Sequence, residues 1–184
     1  MIDYKLPHES FIGGWFIDEK VCDNLIKYYN NIDYTHEHRN KNNVKGCMLT
    51  QFHPKSTDKV WIDYKKELQK VLELYLKRYP EANKVCKFYI QQATNIQHYK
   101  SGGGYISWHF ENDGRGDDRN RHLVFMTYLN DVNDGGTEFK YQKLITPARK
   151  GLTVIWPAQW THTHRGVVNE TQDKYIITGW FNYE

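Results

Sequence analysis

The chain has 184 residues, 39% of them hydrophobic and 15% aromatic, with a formal net charge of +3. That length suits one domain; the 6 Trp, 14 Tyr and 8 Phe exclude wholesale disorder, and no apolar run of about 18 residues is present to form a membrane-spanning helix. So mild a charge announces no nucleic-acid partner, and Cys22, Cys47 and Cys86, an odd number without CxxC spacing, fit a reducing compartment better than a disulfide framework. Any metal chemistry must then rest on histidine and carboxylate.

The first residues show no basic segment followed by an apolar one, so cytoplasmic placement is the default expectation. Lysine outnumbers arginine and asparagine is frequent, a composition that suits an AT-rich genome such as a phage's.

The front of the chain reads as helical. Asp18 is placed to cap a first helix running to about Asn30, with Val21, Leu25, Ile26 and Tyr29 at helical spacing. Residues 31–55 are polar and irregular, with His36, His38, Arg39, Asn42, Asn43, Lys45, Gly46 and His53 in a predicted loop. A second helix starts at a Ser56 or Thr57 cap. Val60, Trp61, Tyr64, Leu68, Val71, Leu72, Tyr75 and Leu76 form its apolar stripe, and Pro80 ends it.

From about Lys87 the period changes to that of strands. Predicted strands cover Phe88 to His98, Tyr105 to Glu111, His122 to Asn130, Thr137 to Tyr141, Leu152 to Trp156, His164 to Val168 and Lys174 to Tyr183. Gly102–Gly104, Asp113 to Asp118, Asp134–Gly136 and Gly151 read as the punctuation between them. Short strands at this spacing predict a β sandwich or barrel with the two helices packed on one face.

His109 and Glu111 stand two apart on a predicted strand, so both point to the same face. They can offer two ligands to one ion, and His122, His162 and His164 are the candidates for a third. Two histidines and one carboxylate leave coordination positions open, the arrangement of non-haem Fe(II) oxygenases. An isolated HxE pair is weak support for a metal. Taken alone, Lys174 reads as a surface lysine, Tyr99 and Tyr128 as core rings, and residues 112–121 as a solvated turn.

The surrounding residues add a pattern. Tyr99-Lys-Ser-Gly-Gly-Gly-Tyr105 precedes His109-Phe-Glu111. Tyr128-Leu-Asn-Asp131, Gly135-Gly-Thr-Glu-Phe139 and Pro147 to Gly151 follow, then Trp156-Pro157, His164-Arg-Gly166 and Lys174 to Trp180. In order and spacing this run resembles the 2-oxoglutarate- and Fe(II)-dependent dioxygenases, and within them the prolyl 4-hydroxylase-like branch.

The resemblance implies a mainly β fold, a double-stranded β-helix (jelly roll, cupin-like) packed against N-terminal helices. It further implies a single domain over residues 1–184, with a helical front at about 1–85 and a β core at about 86–184. His109, Glu111 and His164 would be the metal ligands, with Asp113 as a fallback carboxylate. Lys174 lies ten positions after His164, where relatives place the basic residue that pairs with the C5 carboxylate of 2-oxoglutarate. Tyr128 matches the phenol that shares this carboxylate, Tyr99 and Thr178 match positions lining the cosubstrate pocket, and Trp180 matches a wall residue. Most relatives carry Asp where Glu111 stands; the extra methylene must fold back or shift the ion.

The implied reaction hydroxylates an unactivated C–H bond and releases succinate and CO2. It uses Fe(II), 2-oxoglutarate and O2, with ascorbate as a candidate reductant. The implied substrate is a prolyl residue of a peptide or protein, with residues 31–55 and 112–121 as candidate substrate contacts. The alternatives are a dioxygenase acting on a nucleobase or free amino acid, and a non-catalytic jelly-roll metal-binding module.

Overall fold

The computed structural model describes residues 1–33, 35–37 and 43–184. In chain order the elements are β1 (Ile2–Tyr4), β2 (Gly13–Phe16), α1 (Glu19–Asn31), β3 (His36–Glu37), β4 (Val44–Phe52), α2 (Lys59–Arg78) and β5 (Phe88–Tyr89). They continue as β6 (Thr94–Tyr105), β7 (Arg121–Tyr128), β8 (Val132–Phe139), β9 (Leu144–Ala148), β10 (Leu152–Pro157), β11 (His164–Gly166) and β12 (Lys174–Tyr183). A large antiparallel sheet runs β1-β2-β10-β7-β12-β6-β4-β3, with β5 on β12, and a small sheet runs β11-β8-β9. The two sheets form a jelly roll with the helices on the outer face of the large one, as the sequence predicts.

Both helices follow their patterns. The Asp18 carboxylate accepts from the Lys20 N–H at the start of α1. In α2 the stripe Trp61, Tyr64, Leu68, Val71, Leu72 and Tyr75 is buried against Phe52, Ile96, Phe125, Ile177 and Phe181. Each such side chain contributes roughly 1.5–3 kcal/mol by burial, against a few tenths for an exposed pair such as Lys59–Asp63. Contact with the sheet therefore holds α2. Its cap differs from expectation: Asp58 is the N-cap, and Ser56 Oγ accepts from the Asp58 N–H in the preceding turn.

The front half is not purely helical. β1 and β2 extend the large sheet beside β10, and β4 pairs with β6 over most of its length. The predicted loop at 31–55 is thus corrected: Val44, Cys47, Leu49 and Phe52 are buried, Val44 and Cys47 between the sheets and Phe52 toward the helices, in a pattern diluted by Lys45, Gly46 and Gln51. His36 lies in β3 and His53 follows β4, whereas His38, Arg39 and Asn42 fall outside the described residues.

The back half has further corrections, and Asp134–Gly136 lies inside β8 rather than between strands. Gly102–Gly104 does not end a strand but lies inside β6. There Gly102 adopts φ +75° and the pairing with β4 shifts register, so the strand bulges rather than stops. Of the predicted strand Tyr105 to Glu111, only Tyr105 belongs to β6, and His109 makes an isolated bridge to His164. The predicted strand Phe88 to His98 is divided into β5 and β6, and β9 is an additional strand.

Gly136 marks the tightest approach in the small sheet. A Cβ there would lie 1.7 Å from the Thr146 carbonyl oxygen of β9. Gly136→Ala must force β8 and β9 apart and is expected to cost ~3 kcal/mol or more, as overpacking does. Thermal unfolding checks this, and an unchanged midpoint would contradict it.

Candidate active site

Strand alternation builds the cavity between the sheets. Lys174, Ile176, Thr178 and Trp180 on β12 point inward, as do Asn95, Gln97 and Tyr99 on β6 and Met126 and Tyr128 on β7. Intervening residues such as Ile177 and Phe181 face the helices. The resulting cavity measures about 420 Å³.

His109 and His164 exchange both backbone hydrogen bonds, His109 N–H to His164 O at 3.0 Å and His164 N–H to His109 O at 2.8 Å. This bridge ties the segment after β6 to β11 and sets the two rings 4.3 Å apart. Glu111 follows two residues later, pinned by its N–H to the Ala158 carbonyl. Its Oε1 lies 3.4 Å from His109 Nε2 and 3.6 Å from His164 Nε2. Among the described residues these three form the one group with metal-ligand spacing, their ligand atoms all within 4.8 Å of one another.

The tautomers suit a cation. His109 Nδ1 donates to the Ser107 carbonyl at 3.0 Å, and His164 Nδ1 donates to the His162 carbonyl at 2.8 Å. Each ring therefore turns Nε2 toward Glu111 with its lone pair available. Burial pushes the His164 pKa down, favouring the neutral ligand form. Burial alone would raise the Glu111 carboxyl, but the charge of His109 and His164 in their protonated forms outweighs it and holds the carboxyl well below the usual carboxylate range; between neutral rings a bound cation takes over that compensating charge. Two neutral imidazoles and one carboxylate at these separations fit an ion with metal–ligand bonds of about 2 Å.

Deeper in the cavity, Lys174 is 6% exposed. Its ammonium donates to the Gly135 and Val167 carbonyls, both at 2.8 Å, leaving one of three N–H donors. No carboxylate pairs with it among the described residues, and burial pushes its pKa down to about 8. Tyr128 lines the same region, but its hydroxyl donates to Thr137 Oγ1 at 2.7 Å and sits 2.9 Å from Thr146 Oγ1. Tyr99 donates to Gln97 Oε1 at 2.7 Å, and Thr178 donates to the Phe125 carbonyl at 3.0 Å.

The site so described can hold a divalent ion beside a pocket with a buried cation. Residues 94–182 match the family model of the 2OG-Fe(II) oxygenase superfamily. The chain carries a 2OG-Fe(II) oxygenase domain. Solved structures with the same fold include three prolyl hydroxylases. A viral collagen prolyl hydroxylase from Paramecium bursaria Chlorella virus-1, in complex with 2OG, is 18% identical, with a TM-score of 0.70 over 95% of this chain and 97% of its own. A Pseudomonas putida prolyl-4-hydroxylase is 16% identical, with a TM-score of 0.68 over 94% and 92%. A Trichoplax adhaerens prolyl hydroxylase, solved with a hypoxia inducible factor peptide fragment, is 15% identical, with a TM-score of 0.66 over 94% and 84%. A search of curated protein sequences found no match.

The structure places the alternative ligands outside the converging group and adds contacts that the sequence reading lacks. Asp113, the fallback carboxylate, lines the cavity but is not one of the three converging groups, and its Oδ1 accepts from the Arg115 N–H. Of the other candidate third ligands, His122 and His162 are held elsewhere: His122 Nε2 donates to the Ala82 carbonyl and His162 Nε2 to the Ser10 carbonyl. Trp180 is more than a wall, because its indole N–H donates to Glu111 Oε2 at 3.0 Å. Arg121, read as part of a solvated turn, reaches the same oxygen at 3.3 Å. Asn95 and Gln97 also line the cavity, and only the inward alternation of β6 with Tyr99 could have revealed them.

Proposed function

We propose that His109, Glu111 and His164 hold Fe(II) and that Lys174 anchors the distal carboxylate of 2-oxoglutarate. The enzyme then hydroxylates a prolyl residue of a peptide or protein, with release of succinate and CO2. The observation that carries this reading is the pairing of two features in one cavity: a His–Glu–His convergence, and a buried ammonium with one N–H donor to spare and no anionic partner among the described residues. A buried cation needs an anion to offset its desolvation, and a dicarboxylate provides one.

The chain's own groups have separable tasks. The fixed Nδ1 donors of His109 and His164 keep their rings oriented. Lys174 binds the carboxylate, and the Tyr128 hydroxyl can turn from Thr137 to donate to it. Met126, Trp156 and Ile176 line the same pocket with apolar surface that keeps water out. When bound, Fe(II) supplies the oxygen-activating redox chemistry that no side chain provides.

A prolyl substrate is supported by the three prolyl hydroxylase neighbours, one of them solved with a peptide. The reading takes residues 1–184 as one catalytic domain, with ascorbate maintaining the reduced ion. No helix among the described residues is long and apolar enough to cross a membrane. The three free cysteines suit a reducing, cytoplasmic setting.

Incubation with Fe(II), ascorbate, 2-oxoglutarate and proline-containing peptides tests the substrate class. Succinate should accumulate with a peptide product heavier by one oxygen atom. Turnover coupled instead to a nucleobase or a free amino acid would overturn the prolyl assignment.

A further inference from the structure

The two oxygens of Glu111 have different surroundings. Oε1 faces both histidine Nε2 atoms, whereas Oε2 accepts from Trp180 Nε1 at 3.0 Å and Arg121 Nη1 at 3.3 Å. Arg121 is itself fixed on several sides. Its Nη1 donates to the Glu111 backbone carbonyl at 2.9 Å, its Nε to Gln92 Oε1 at 2.9 Å, and its Nη2 to Asp118 Oδ1 at 2.8 Å. Its guanidinium also lies 3.6 Å from the centre of the Trp180 ring. Arg121 begins β7 and Trp180 sits on the adjacent β12, so the sheet holds the two together.

We propose that Arg121 and Trp180 form a clamp on Glu111 Oε2 that adapts this centre to a glutamate ligand. They are positioning residues, and the inference rests on the ligand assignment made above. A glutamate has one more rotatable bond than an aspartate and can swing, or present both oxygens to an ion. Two donors on Oε2 remove that freedom and leave Oε1 alone on the side of the histidines. A rigid fork and an indole N–H do this at fixed geometry, which a lysine or a phenyl ring in their places cannot reproduce. An aspartate at position 111 is too short to reach the clamp and the histidines together, so Glu111→Asp is not a conservative change here.

Co(II) titration of metal-free protein, with the visible d–d spectrum recorded, tests the clamp without turnover. Trp180→Phe keeps the ring under Arg121 but removes the N–H. It should weaken Co(II) binding by ~10-fold or more and alter the spectrum, as loss of a group that orients a ligand does. Arg121→Lys should act in the same direction. Glu111→Asp should also weaken binding, and adding Trp180→Phe to it should cause little further loss, because the clamp no longer has an oxygen to hold. Wild-type affinity and spectrum in both Trp180→Phe and Arg121→Lys, or fully additive losses in the double variant, would overturn the clamp. His109→Ala serves as the control. If it leaves Co(II) binding unchanged, the ligand assignment fails and the clamp fails with it. If it abolishes binding while both clamp variants bind normally, only the clamp fails.

Discussion

Replacing His109 with alanine is expected to abolish Fe(II)-dependent succinate formation while leaving the protein folded. The two properties separate because the contact that orders this segment is made by the backbone: the N–H and carbonyl of residue 109 both bond to His164. Alanine preserves that bridge and removes only the imidazole that lies 3.4 Å from Glu111 Oε1. The remaining histidine and carboxylate cannot hold the ion in place. Loss of even ~4 kcal/mol of metal-derived transition-state stabilisation corresponds to ~10³ in rate. Succinate production and the thermal unfolding midpoint, measured on the same preparation, check both halves. Full activity in the variant would contradict the metal assignment.

The second large effect concerns Lys174. Lys174→Met should raise the KM for 2-oxoglutarate by ~100-fold, because truncating one partner of a buried, hydrogen-bonded charge pair costs about 2–5 kcal/mol. It should at the same time stabilise the ligand-free protein near neutral pH. The folded amine titrates near 8, below its ordinary value of 10.5, because burial disfavours its charge. Below pH 8 both the folded and unfolded chains carry this proton, so the full cost of burying the charge is present. Between pH 8 and 10.5 the unfolded chain binds more protons, and this group's contribution to stability rises with pH by about 3 kcal/mol in total. Denaturant unfolding at pH 7 and pH 10 should show that rise in the wild type and lose it in Lys174→Met. The KM for 2-oxoglutarate should climb above pH 8, where the empty site loses its cation. A pH-independent KM would place the anchor elsewhere.

Much of this arrangement is legible in the sequence because it is local or periodic. The α2 stripe and the alternation of Lys174, Ile176, Thr178 and Trp180 follow from periods of 3.6 and 2, whereas His109 and Glu111 converge although the segment that carries them is not a strand. The choice of His164 over His162 follows from the resemblance, and the cross-strand bridge to His109 gives it a physical basis. What escapes is long-range. β1, β2 and β4 join the sheet through short or glycine-interrupted segments whose alternation shows only once β6 and β10 are beside them. The bulge at Gly102 hides the continuity of β6, since a glycine run reads as a turn. Arg121 and Trp180 lie 59 residues apart, and their meeting on Glu111 depends on the pairing of β7 with β12. Neither residue type carries a local signature of that role.

Labelled dioxygen follows the proposed reaction atom by atom. Wild-type protein with Fe(II), 2-oxoglutarate and a proline-containing peptide under ¹⁸O₂ should place one labelled atom in succinate and the other in the hydroxyl of the peptide's prolyl residue, in equal amounts, with neither product from His164→Ala. A peptide hydroxyl carrying oxygen from water, or label in both products from the His164→Ala variant, would contradict the account.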